Sequence, residues 1–86
     1  VPLTPRDRAI LDFEANWSRH GPRKEEAIHT HLGLSPARYY QLLGRLLDTP
    51  EALEYDPMLV SRLRRIRDAR EQARRARVAM SPRVAR

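Results

Sequence analysis

The sequence predicts an all-α fold: a compact helix-turn-helix core of about four short helices, followed by a long arginine-rich helix. Three observations carry that prediction. First, a capping residue stands directly before proline at Thr4-Pro5, Ser35-Pro36, Thr49-Pro50 and Asp56-Pro57. The cap side chain accepts from an orphan N–H, while proline has no N–H to leave unsatisfied and its φ is already helical. Second, apolar residues between these starts recur at steps of three and four, and no segment argues for a strand. Third, charge is unevenly placed. From Val1 to Ser61 seven Lys+Arg stand against nine Asp+Glu, a balance of −2; from Arg62 to Arg86 ten Arg stand against Asp68 and Glu71, a balance of +8. A near-neutral body with a cationic end is the asymmetry of a chain that binds nucleic acid or an acidic surface.

The first helix is expected from Pro5 to about Arg19, opened by Thr4 and Asp7 as an approximate capping box. Ala9, Ile10, Leu11, Phe13 and Trp17 form its apolar face, with Trp17 as a core or hinge anchor. The second helix is expected from about Pro22 to Leu32. Glu25 and Glu26 lie in its first turn, where the helix dipole favours them, and Ala27, Ile28 and Leu32 make its inner face. Gly33 then stands where a helix end needs positive φ, Leu34 plugs the corner and Ser35 caps the next helix. That third helix, about Pro36 to Leu47, buries Tyr39, Leu42, Leu43 and Leu46. "TPEALEY" supplies a short helical turn, and a long helix follows from about Pro57 to Met80. Leu59, Leu63, Ile66, Ala69, Ala73, Ala76 and Met80 form a stripe along it that turns to alanine past Ile66, too thin for a strong coiled coil. The final "SPRVAR" is expected to fray. Residues 1–56 thus make the helical core, with the helix-turn-helix at about 22–48, and residues 57–86 the basic helix and tail of one domain.

Composition narrows the function classes. With 86 residues and no cysteine, the chain has no disulfide or thiolate metal site to lean on, and stability must come from packing, caps or a partner. No apolar run approaches the roughly 20 residues of a membrane span, and the charged N-terminal stretch is unlike a signal peptide, so the expected place is the cytoplasm, at the nucleoid. His29 and His31 stand two apart on a helix and point in nearly opposite directions, so they cannot close on one metal ion. There is no cysteine nucleophile, no glycine-rich phosphate loop and no Ser/His/Asp set. The sequence points to no enzyme, no metal and no cofactor.

The pattern Ile28-x3-Leu32-Gly33-Leu34-x4-Tyr39-x2-Leu42 fits a helix-turn-helix, although His29 occupies a place where a small residue usually lets the helices approach. If the motif binds DNA, the second helix of the pair enters the major groove, and Ser35, Ala37, Arg38, Tyr40, Gln41 and Arg45 are the base-reading candidates. Arg38 or Arg45 would fork onto guanine and Gln41 onto adenine, with Asp48 repelling phosphate. Phosphate contacts fall to Arg62, Arg64, Arg65, Arg67, Arg70, Arg74, Arg75 and Arg77, whose guanidinium groups stay charged at any physiological pH. The expected function is therefore DNA binding, in transcription regulation or nucleoid organisation. Structured RNA, as on a ribosome, is the first alternative partner, and an RNA polymerase or another acidic protein the second. A homodimer would suit a palindromic site.

The stretch "KEEAIHTHLGLSPARYYQLLGRLLDTPEAL" followed by "DPMLVSRLRRIRDAR" resembles a family of small basic actinobacterial proteins catalogued as a domain of unknown function. Arg38-Tyr39-Tyr40-Gln41 and the Asp56-Pro57 to Arg65 segment carry most of the likeness. The resemblance implies an all-helical, helix-turn-helix-like protein; it supplies no catalytic residue and no ligand.

Overall fold

A computed structural model of the chain describes residues 1–17 and 21–80. Among them run five helices and no strand: α1 (Pro5–Asn16), α2 (Pro22–Leu32), α3 (Pro36–Leu46), α4 (Pro50–Tyr55) and α5 (Pro57–Met80). The expected frayed tail, residues 81–86, lies outside the described residues.

Each of the four cap–proline pairs starts a helix as expected. The hydroxyl oxygens of Thr4, Ser35 and Thr49 accept from the backbone N–H groups of Asp7, Arg38 and Ala52 at 3.0, 3.1 and 3.2 Å. The Asp56 carboxylate accepts from Leu59 N–H at 3.2 Å. At α1 the capping box is complete, since the Thr4 N–H donates back to Asp7 Oδ2 at 3.0 Å. Gly33 ends α2 in the left-handed region (φ 66°, ψ 24°), with its N–H donating to the His29 carbonyl at 2.9 Å.

α1 is shorter than expected. It closes at Asn16, not near Arg19, because two local interactions turn the chain out of the helix. The Asn16 side chain donates to the Asp12 carbonyl at 2.9 Å, competing with the backbone ladder. Trp17 leaves in an extended conformation (φ −127°, ψ 96°) and stacks on Phe13 with ring centroids 5.6 Å apart. Arg19 itself lies outside the described residues.

The core joins Ile10, Leu11 and Phe13 of α1 to Ala27 and Ile28 of α2 and to Tyr39, Leu42, Leu43 and Leu46 of α3. Leu47, Ala52, Leu59 and Val60 close it from the α4–α5 side. Leu63 is half-buried and Ile66 already 41% exposed; beyond them α5 has no core to cover. The radius of gyration is 15.7 Å, against roughly 12 Å for a compact chain of this length, because the second half of α5 projects past the core.

A buried ionic cluster sits where α1, α2 and α3 meet. Lys24, 1% exposed, donates from Nζ to Glu14 Oε1 at 2.8 Å, and the Tyr39 hydroxyl donates to the same oxygen at 2.5 Å. Lys24 is the only lysine in the chain; the other sixteen of its seventeen basic residues are arginines. A compact ammonium can be enclosed with few partners, whereas a guanidinium brings five N–H donors to satisfy. Burial, and donation to the Glu14 carboxylate, push the Tyr39 hydroxyl far above its ordinary pKa of 10.0.

Candidate nucleic-acid interface

α3 presents three faces at a helical period of roughly 100° per residue. Tyr39, Leu42 and Leu46 enter the core. Tyr40, Leu43, Gly44 and Leu47 face α5 across a groove of about 640 Å³. Ala37, Arg38, Gln41 and Arg45 are exposed on the third face. No carboxylate occurs anywhere from Ala27 to Leu47, so this open face and the turn before it carry no negative side chain.

Five of the six base-reading candidates therefore share a surface, with Ser35 at its N-terminal edge. Ser35 already accepts from the Arg38 N–H, which leaves its hydroxyl hydrogen to offer outward. Arg38 Nη1 donates to Gln41 Oε1 at 2.7 Å. Arginine has no acceptor, so the bonded Gln41 atom is its oxygen, and the carboxamide NH₂ points away from the pair. The face thus offers donors: guanidinium N–H groups and one amide. Such a face matches the O6 and N7 acceptors of guanine, whereas a bidentate Gln41–adenine contact would have to share the Gln41 oxygen with Arg38 through its second lone pair. Tyr40 is placed differently from the expectation. Its ring packs edge-on against Tyr39 at 5.0 Å and lies 5.5 Å from Lys24 Nζ, half-buried on the groove side of α3. One residue along a helix is a rotation of about 100°, enough to separate it from Gln41.

The arginines of α5 divide by what they already touch. Arg64 Nε donates to the Leu47 carbonyl at 2.5 Å and its Nη2 to the Thr49 carbonyl at 3.5 Å, so this cation closes the C-terminal end of α3. Arg67 holds Asp48 at 2.9 Å and Asp68 at 3.4 Å, and Asp48 is thereby paired where it was expected to repel phosphate. Arg74 and Arg75 share Glu71 at 2.6 and 3.7 Å, and the Arg74 bond holds the Glu71 carboxyl below its usual range. Arg62, Arg65, Arg70 and Arg77 make no ion pair or side-chain hydrogen bond among the described residues. Arg62, Arg70, Arg74 and Arg77 line the groove toward α3, while Arg65 faces elsewhere beside Met58 and Ser61.

Sequence reasoning assigned no role to Lys24 or Glu14. The available signal was their position: Lys24 lies three and four before Ala27 and Ile28, and Glu14 three and four after Leu11 and Ile10, on the inner faces of their helices. Among the described residues no group of three His, Cys, Asp or Glu is placed to hold a metal ion, and no helix is long and apolar enough to cross a membrane.

Fold and surface together define an all-α protein with one carboxylate-free helix face and a projecting cationic helix. Residues 2–75 match the family described as "Protein of unknown function (DUF3263)", and the chain belongs to that family. No curated protein and no solved structure showed a significant match to it.

Proposed function

We propose that this protein binds nucleic acid, duplex DNA in preference to structured RNA, using α2 and α3 as a helix-turn-helix and α5 as the phosphate-holding element. Transcription regulation or nucleoid organisation is the setting that fits. The observation that carries the reading is the set of arginines the fold does not use: Arg62, Arg65, Arg70 and Arg77 have no internal partner among the described residues. The open face of α3, with Arg38 bonded to Gln41 and Arg45 beside them, supports readout of guanine-containing steps. In this division of labour phosphate contacts hold the protein and base contacts orient it.

The test is fluorescence anisotropy of the full chain with duplex DNA and with structured RNA across a salt series. Each phosphate contact contributes roughly −0.9 to the log–log salt slope, so R62A/R65A/R70A/R77A should flatten it by about 3 to 4. Arg38→Ala should weaken a selected site by about 1–3 kcal/mol relative to random duplex. Tighter binding to structured RNA at equal salt would move the reading to a ribosomal or other RNA partner. Failure to bind either nucleic acid at physiological salt would remove it.

A further inference from the structure

Gly44 lies inside α3 with an ordinary helical backbone, and a Cβ added there would meet nothing within 4 Å. Glycine weakens a helix interior relative to alanine, and here neither a positive φ nor a crowded neighbour within the chain requires it. The missing side chain instead leaves open space at this point of the α3 surface. Gly44 is on the floor of the α3–α5 groove, whose opposite wall carries Leu63 and the 41%-exposed Ile66. Arg62, Arg70 and Arg77 stand along the same wall with no ion-pair partner among the described residues. The groove is largely apolar between the helices and mainly cationic along its α5 edge, where the one carboxylate, Glu71, is taken up by Arg74 and Arg75.

We infer that this groove receives an amphipathic helix from an acidic partner protein, its apolar side on Gly44 and Ile66 and its carboxylates toward Arg62, Arg70 and Arg77. Charge selects that occupant over a second copy of this chain, because α5 holds eight arginines against only Asp68 and Glu71 and would meet its own charge. A sugar–phosphate backbone would answer the arginines but would bury nothing on Leu63 and Ile66. The wall from Arg62 to Arg77 runs roughly 22 Å at 1.5 Å per residue, about four turns of a docked helix. Since the same arginines serve phosphate in the nucleic-acid reading, the helix and the duplex would compete; the groove argument does not otherwise depend on that reading.

The probe is a sixteen-residue peptide (roughly four turns, by the same rise) with leucines on one helical face and glutamates on its flanks, set against a scrambled peptide of equal composition. Anisotropy on the full chain at physiological salt should show the patterned peptide binding at least about tenfold more tightly than the scrambled one, an order of magnitude that corresponds to the burial of one or two apolar side chains. Gly44→Leu fills the floor without straining the helix, and Ile66→Ser removes the apolar wall; each should weaken the patterned peptide by about tenfold or more. Arg65→Ala, outside the groove, should leave it unchanged, and Gly44→Leu should leave the duplex salt slope unchanged. Equal binding of the scrambled peptide would overturn the proposal, as would indifference to Gly44→Leu. A duplex affinity that falls with Gly44→Leu would assign the groove to nucleic acid, and a dimer that Gly44→Leu dissolves would assign it to a second copy.

Discussion

The charged groups of the three-helix core and those of the outer half of α5 do opposite things with the same elementary interaction. In the core, one lysine is enclosed and its ammonium meets Glu14 beneath the Tyr39 hydroxyl. In α5 from Asp68 onward, every residue but the half-buried Glu71 is exposed, and Arg70 and Arg77 meet no carboxylate among the described residues. Between these extremes lie Arg64 and Arg67, arginines of the same helix that secure the α3–α4 turn. Net charge therefore says little about what an individual cation does. What decides it is whether a neighbouring carbonyl or carboxylate is held within reach.

The sharpest test of that contrast is Lys24→Ala. It leaves Glu14 buried without a counter-charge and should cost about 3–5 kcal/mol in urea unfolding, whereas Arg70→Ala should stay within about 0.5 kcal/mol. Arg64→Ala comes next. Freeing the Leu47 and Thr49 carbonyls at a half-buried helix end should cost about 1–2 kcal/mol, and a cost near zero would show that water replaces the guanidinium fully. Tyr39 gives a pH signature. Its folded pKa is raised, so the unfolded chain releases the phenolic proton first; the stability from the neutral hydroxyl is complete below the ordinary pKa of 10.0 and falls above it. Wild type should lose about 1.4 kcal/mol more per pH unit above that point than Tyr39→Phe, and parallel curves would sink the assignment. The smallest effect belongs to Glu71→Ala. Its exposed pairs with Arg74 and Arg75 should contribute under about 0.5 kcal/mol at moderate salt, read as a barely moved thermal midpoint.

Helix starts were legible because they are local: Thr4, Ser35, Thr49 and Asp56 need only their own next three residues, and all four capping bonds form. The start of α5, the inner face of α3 and the positive φ of Gly33 follow from the same short-range rules. The end of α1 was less legible, because Asn16 and Trp17 leave the helix through side-chain interactions that periodicity does not register. Least legible was anything that depends on two distant segments meeting. Glu14 and Lys24 are ten residues apart, Arg64 and Leu47 seventeen, Arg67 and Asp48 nineteen. On a helical wheel each of these charges is only a polar position, and pairing is a property of the packed chain. Of the site, the sequence supplied the residue types and most of the α3 face; packing removed Tyr40 from that face and engaged Arg64 and Arg67 internally.

Having a single lysine, and having it enclosed, makes the chain its own reporter of opening. An amine-selective acylating reagent finds no exposed lysine ammonium on the folded surface, since Lys24 is 1% exposed and the remaining side-chain cations are guanidinium groups or imidazoles. Acylation of that one side chain must wait for α1, α2 and α3 to separate. Its rate under native conditions, read at the Lys24 side chain apart from the exposed Val1 amine, therefore tracks the population of opened molecules with no engineered label.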